Sequence, residues 1–292
     1  MKKKIEGSIL TMERMDNRRL NTVGSSRIRA RWLLHYWPEC EEYKIGKKYS
    51  FLIYQKVYWA DMIKNFKGIQ ILDLCDADWL EGKPVFEYVD MMDAVTTSTE
   101  ALAVYIRKLR PKAFVQCVPD RIYIPEHKPI KKEHKGPIKS ICWFGYHHNT
   151  HYLLTAFDEL MKNNIKLTVI ATNPYEAPLA YRDRFTIENV SWDYETLFKE
   201  VVKHDAVLMP APSGDEKGKY KSNNKTVQAW AQGMPVVATK DDLDRFMDPK
   251  EREKESKKRL KEVKDKWDVK YSVEDYREII EKIRTRRGVN NK

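Results

Sequence analysis

Lys225 stands in a run, Lys221 to Thr239 (KSNNKTVQAWAQGMPVVAT), whose residue types are ordered as an anion site would require. Ser222, Asn223 and Asn224 are helix N-cap types, able to satisfy the free N–H groups of a first turn. Val227, Trp230 and Ala231 recur at helical spacing. Gly233 falls where a left-handed C-cap costs least, and Pro235 cannot prolong the helix. Pro-Val-Val-Ala then reads as a strand apolar enough to be covered on both faces. A lysine beside backbone donors at a helix start suits a phosphate. An ordinary exposed lysine is the plainer alternative, and the asparagine neighbours weigh against it.

Three loops follow or precede elements as a ligand site in an open α/β sheet demands, beyond the carboxyl ends of strands. They are Gly145-Tyr146-His147-His148-Asn149, Pro210–Lys225 including Ser222, Asn223 and Asn224, and Gly24-Ser25-Ser26-Arg27. Arg27 alternates with Arg29 and Arg31, so a solvated basic face competes with anion binding there. Asp73, Asp76 and Asp78 follow a strand and could hold a metal, contact an acceptor or merely cap turns; Asp76 is the candidate for acceptor contact. His147, His148 and His151 lack the Cys or acid that would complete a zinc set, so hydrogen bonding to phosphate or sugar is favoured and no metal is expected. Asp76, Asp78, His147 and His148 are the candidate bases, and Gln55 ends a strand where it could reach a ligand. Neither a P-loop nor a Gly-x-Gly-x-x-Gly fingerprint occurs, which argues against an ATPase or a dehydrogenase.

Positioning such loops takes alternating strands and helices. Strands are predicted at 49–54, 68–75, 94–97 and 113–118, with helices at 57–66 and 99–110. The stretch 119–137, with four prolines and no periodicity, reads as a linker. The rhythm resumes with strands at 138–143, 167–171, 186–192 and 206–209 and helices at 149–162 and 196–204. Two terminal helices, roughly 250–267 and 273–286, follow; the second carries a stripe of Val273, Tyr276, Ile279, Ile280 and Ile283. The predicted class is α/β, with two Rossmann-like domains facing across a cleft, a reduced N-terminal domain and C-terminal helices. The expected domains are 1–120, a linker at 121–137, 138–249, and helices at 250–292 packing back.

The 292 residues are enough for two cores, and 42% hydrophobic content with eight Trp argues for a folded chain. No apolar run approaches the ~20 residues of a membrane span, and acids interrupt any signal-peptide core. Four scattered cysteines form no zinc or redox motif, so a reduced cytoplasmic protein is expected. The net charge of +11 concentrates at 1–31 (nine Lys/Arg against three acids), 121–139 (six against two) and 250–292 (sixteen against ten). That distribution suits nucleic acid, acidic lipid or an anionic substrate, or only a solvated surface.

The Gly145 loop between strand and helix, AVLMPAP at 206–212 and the Lys221–Thr239 run together resemble the donor-binding domain of GT-B glycosyltransferases, in particular the retaining, glycogen-synthase-like group (glycosyl transferases group 1) with its E-A-x-A-x-G-x-P-V-V signature. GSSRIRA at 24–30 and VTTSTEALAVYIRKL at 95–109 are similar to that family's first domain, so the resemblance spans roughly 24–239. It implies a nucleotide-sugar co-substrate with no other cofactor and no required metal. Gly145, Tyr146, His148 and Asn149 would face the phosphates, Lys225 would neutralise the diphosphate, and Gln228 would face the ribose. Ser222, Asn223, Asn224 and Thr226 would line the same site, Trp192 would contact the base, and Gly24, Ser26 and Arg27 would close from the first domain. Asp76, His147 and Lys225 are the catalytic candidates. The family's Glu-x7-Glu pair is replaced by Tyr220 and Gln228, with Asp215 or Glu216 as substitutes, and Tyr146 stands where an arginine is expected. The acceptor stays open: a small metabolite, a glycan, a protein, or DNA bearing hydroxylated bases. Peripheral membrane contact stays open too. A rival reading is a non-catalytic scaffold for nucleic acid or a partner.

Overall fold

The structure is a computed structural model that describes residues 4–12, 23–130, 132–182, 184–211 and 214–290. Pro212 and Ser213 of the Pro210–Lys225 loop, Lys131 of the expected linker and residues 13–22 of the basic amino-terminal stretch lie outside the described residues. The chain divides into two compact units. One comprises Met1–Tyr123, Lys219–Ser222 and Asp268–Lys292; the other comprises Ile124–Gly218 and Asn223–Trp267.

The first unit is built on strands β1 (Gly7–Thr11), β2 (Cys40–Glu42), β3 (Phe51–Gln55), β4 (Ile69–Leu74), β5 (Ala94–Thr97) and β6 (Val115–Cys117). They form one parallel sheet in the order β2-β1-β3-β4-β5-β6. Every residue of β1 and β3 is buried, as a parallel sheet covered on both faces requires. Thr99 caps the helix Glu100–Leu109 by accepting from the Leu102 N–H at 3.2 Å, and Leu102, Ala103 and Ile106 turn inward. β1 and β2 lie outside the strands that the sequence pattern predicts. β2 is three residues long, half-polar and at the sheet edge, so it carries little periodic signal.

The second unit holds β7 (Ser140–Phe144), β8 (Lys166–Ala171), β9 (Ile187–Ser191), β10 (Ala206–Leu208) and β11 (Val236–Val237), parallel in the order β11-β10-β7-β8-β9. The predicted helix at 149–162 is instead a 3₁₀ stretch, His147–Ala156, followed by an α-helix, Phe157–Lys162. Side chains bonding back to nearby carbonyls account for the tighter winding: Thr150 Oγ1 donates to His147 at 2.8 Å, and Thr155 Oγ1 to Tyr152 at 2.8 Å.

The helix Asn224–Ala231 ends in a Schellman motif. Gly233 has φ 74°, its N–H donates to Trp230, and the Met234 N–H donates to Ala229. A side chain at Gly233 would also approach Ser256 Oγ to 3.0 Å, so the glycine serves both the turn and the packing of this helix on Pro249–Lys266. Pro249–Lys266 belongs to the second unit. Lys270–Asn290 belongs to the first, where its predicted stripe of Val273, Tyr276, Ile279, Ile280 and Ile283 is buried.

Candidate functional site

Within the second unit, the turn after β7 and the start of the Asn224–Ala231 helix lie against each other. A Cβ at Gly145 would fall 2.9 Å from Lys225 Cε and 2.9 Å from the Trp143 ring. Only a residue without a side chain lets the lysine stem lie there. Tyr146 is exposed, His148 is exposed, and His147 and Asn149 are half-buried at the head of the 3₁₀ stretch. The rings of His147 and His148 lie 4.1 Å apart and those of Tyr146 and His148 4.8 Å apart.

Asn223 is the N-cap of the Lys225 helix, yet it makes no side-chain cap hydrogen bond. The expected capping by this side chain therefore does not occur: with φ −87° and ψ 21°, Asn223 departs from the extended backbone that usual capping uses. The first turn carries no acidic residue. Its dipole and N–H groups favour an anion. Thr226 lies in this first turn, half-buried, while Gln228 is buried on the helix interior at 4% exposure.

Asp215, proposed above as a substitute carboxylate, accepts from the Tyr152 hydroxyl and from the Lys217 N–H at 2.9 Å, tying its loop to the 3₁₀ stretch. Burial and then the Asp215 hydrogen bond push the Tyr152 pKa up, so this phenol stays protonated as the donor. Trp192 follows β9 and is half-buried against the cluster containing Phe144, Ile170 and Leu197.

The first unit holds Gly24, Ser26, Arg27, Asp76 and Ser222. Gly24 opens a helical run in which Arg27–Arg31 is a π segment, a winding that often marks functional positions. Ser26 is buried, its hydroxyl 3.5 Å from Gln55 Oε1, and Arg27 is buried with its guanidinium 5.6 Å from the Trp32 ring centre. Gln55 itself has no exposed surface.

The solvated basic face considered for these arginines is overturned at Arg29, which is 3% exposed. Its guanidinium holds Asp73 through two hydrogen bonds, Nε to Oδ2 at 3.0 Å and Nη2 to Oδ1, and reaches Asp120 Oδ1 at 3.1 Å. Asp73 also accepts from Thr96 Oγ1 at 2.6 Å and from the Tyr276 hydroxyl at 2.7 Å. Burial works against the Arg29 charge, but Asp73, Tyr276 and Asp120 outweigh it and hold the pKa raised. Asp73 is thus a structural anion inside the unit, not a ligand carboxylate. Residue spacing could have signalled the burial, because Arg29 sits three and four residues before Trp32 and Leu33, on the same helical side.

Lys56, in the left-handed region at φ 54°, bridges Asp76 at 2.7 Å and Asp78 at 3.0 Å. Asp78 is buried and accepts from Tyr58 at 2.7 Å, whereas Asp76 is half exposed. Partial burial works to raise the Asp76 pKa. The charge and hydrogen bond of Lys56 outweigh it, aided by Cys75 and Lys221, and leave the carboxyl below its ordinary value. Among the described residues no group of three His, Cys, Asp or Glu is placed to hold a metal.

Tyr220 is buried between Trp79 and Tyr105 at ring distances of 5.3 and 5.6 Å. Two residues on, Ser222 Oγ donates to Asp120 Oδ2 at 2.6 Å. The structure therefore brings Gly145, Tyr146, His147, His148 and Asn149 into one unit with Asn223, Asn224, Lys225, Thr226, Gln228 and Trp192, and sets Gly24, Ser26, Arg27, Asp76 and Ser222 in the other.

No family model and no curated protein sequence matches this chain. Solved structures do. TarM aligns with a TM-score of 0.61 at 12% identity over 79% of this chain and 54% of its own, so the chain spans about half the length of TarM. Anabaena Alr3699/HepE, solved in complex with UDP, gives 0.61 at 10% identity over 95% of this chain and 100% of that one. A DNA-modifying β-glucosyltransferase gives 0.58 at 8% identity over 94% and 99%. At these identities the likeness shows the fold: the chain has two parallel α/β sheets in the manner of GT-B glycosyltransferases. No helix among the described residues is long and apolar enough to cross a membrane.

Proposed function

We propose that this chain transfers a sugar from a nucleotide-sugar donor to an acceptor hydroxyl. The observation that carries the reading is the close approach of Lys225, at the start of its helix, to Gly145 at the end of β7. Breaking a sugar–phosphate bond leaves negative charge on the departing diphosphate. Lys225 and the backbone donors of the Asn224–Ala231 first turn form a preorganised counter-charge for it. Tyr146, His148, Asn149, Asn223, Asn224 and Thr226 are proposed as the polar lining around the diphosphate, and Trp192 as the surface for the base. Gly24, with its small profile, and Ser222 are proposed as first-unit contributions. Ser26, Arg27 and Gln228 are buried, so they are proposed as supports of ligand-facing groups. Asp76 and His147 are the groups proposed to orient or deprotonate the acceptor hydroxyl.

Supplying the counter-charge from Lys225 and the backbone makes neither a metal nor a further cofactor part of the proposal, so turnover is expected to survive chelation. With Cys40, Cys75, Cys117 and Cys142 all free, a reducing cytoplasm is the proposed compartment.

The test is thermal unfolding in the presence of UDP-, GDP- and ADP-sugars. A donor at a hundredfold its Kd adds about 2.7 kcal/mol to the stability of the folded state. UDP-sugars come first, because UDP is bound in the HepE structure at comparable fold. If no nucleotide sugar moves the transition, a non-catalytic scaffold is the better reading.

A further inference from the structure

Two basic stretches far apart in sequence meet on the second unit. Lys250, Lys254 and Lys257 line an open cavity of about 760 Å³ with Lys132 and Lys135, although Lys132 donates to the Val202 and His204 carbonyls and Lys135 pairs with Glu133 at 2.8 Å. The cavity runs into a row on the Pro249–Lys266 helix, where Lys250, Lys254, Lys257, Lys261 and Lys264 are all exposed. Steps of four and three residues keep them on one face, over a length of about 21 Å. Lys254 and Lys257 pair weakly with Glu251 and Glu253 at 3.4 and 3.1 Å. No acid pairs with Lys250, Lys261 or Lys264 among the described residues. The other face of the helix is spent on the fold: Arg259 lies over Trp230 and holds Glu255 and Glu262, and Val263 is buried. His134 adds two buried ring nitrogens without a hydrogen-bond partner at the wall of the same cavity.

We infer that this cavity and lysine row form a docking surface for the phosphate backbone of a nucleic-acid duplex. The occupant follows from what the face contains and lacks. A linear array of cations fits a linear polyanion with closely spaced charge. The helix presents no exposed large hydrophobic residue, so it has neither the wedge that seats an interfacial helix in a bilayer nor the aromatic platform on which single-stranded bases stack. With phosphates as the only contact, binding is independent of base sequence. The inference does not rest on the sugar-transfer reading, and its test needs no turnover.

The experiment is fluorescence anisotropy of a labelled duplex DNA of about 20 base pairs, titrated with the full chain at several salt concentrations. Contacts to about five phosphates give a slope of log affinity on log salt near −4 to −5. The variant Lys254→Gln/Lys257→Gln/Lys261→Gln is expected to weaken binding at least tenfold and to flatten the slope by about three. A control, Lys64→Gln/Lys67→Gln/Lys108→Gln, removes the same charge from exposed positions of the first unit and is expected to bind like the parent. Equal loss in both variants, a slope near zero, or a triple variant that binds DNA unchanged would each overturn the inference. So would a parent that ignores the duplex but binds phosphatidylserine vesicles through the same lysines. Circular dichroism of each variant separates lost contacts from lost folding.

Discussion

An alanine Cβ at position 145 would sit 2.9 Å from Lys225 Cε, closer than such atoms approach in folded proteins. The lysine stem can bend away, but the Trp143 ring at 2.9 Å is fixed in the core. Gly145→Ala is therefore expected to fold with a loss of about 1–3 kcal/mol while moving Lys225 off its place. Calorimetric titration of the donor should show affinity reduced about tenfold. Undiminished affinity would mean that the glycine serves the fold alone.

Lys225 itself tests the electrostatic half of the site. Removing one preorganised charge from a developing anion typically lowers turnover by about 10²–10³. Lys225→Ala should show such a fall in kcat/KM, and Lys225→Arg should recover part of it because the charge returns on a longer stem. A kcat/KM that is unchanged would remove Lys225 from the mechanism.

Much of the frame was legible because it rests on local physics. The β5 strand matches its predicted range, Thr99 caps its helix, and Gly233 takes the left-handed turn. What sequence spacing could not reach were pairings between distant segments. The Arg29–Asp73 pair and its Tyr276 partner join positions 44 and 203 residues apart, and Ser222 meets Asp120 across 102. Asp73 lies inside β4, within the predicted strand, whereas Asp76 falls beyond its end; the partner that pairs Asp73 is what spacing could not supply. Residue type places Asn223 at the N-cap, but the absence of its side-chain bond depends on backbone geometry that spacing does not reach. Gly145 was singled out for its loop, yet the approach of Lys225 that requires a glycine there joins positions 80 residues apart and becomes visible only in three dimensions.

The Arg29–Asp73 pair predicts an asymmetric stability response. Asp73→Ala leaves the guanidinium buried with Asp120 as its carboxylate partner, and breaking a buried pair from one side costs about 3–5 kcal/mol. Replacing both partners, as in Arg29→Met/Asp73→Leu, removes the stranded guanidinium, leaves Asp120 with its Ser222 hydrogen bond, and should cost less than the two single changes combined. Urea unfolding of the three variants measures this. A double variant as unstable as the two singles combined would show that Arg29 and Asp73 are not energetically coupled, against the paired geometry.

Asp76 carries the pH dependence. Its folded pKa lies below the ordinary carboxylate value of about 3.9, so its pairing with Lys56 stabilises the fold above that pH and is lost as pH falls through the lowered value. Because Asp76 is half exposed, solvent screening limits the effect to below about 1 kcal/mol. The difference in Tm between parent and Asp76→Asn should favour the parent at pH 7 and shrink as pH falls below the ordinary carboxylate range. In turnover, Asp76 stays ionised throughout the neutral range, where it can accept an acceptor hydroxyl proton only weakly and can orient that hydroxyl well. Asp76→Asn is then expected to raise the acceptor KM more than it lowers kcat, with donor affinity unaltered. Loss of turnover in His147→Gln while Asp76→Asn keeps its kcat would assign the base to the histidine, whereas a kinetic limb in the neutral range that is lost in Asp76→Asn would contradict the ionisation the Lys56 pairing imposes.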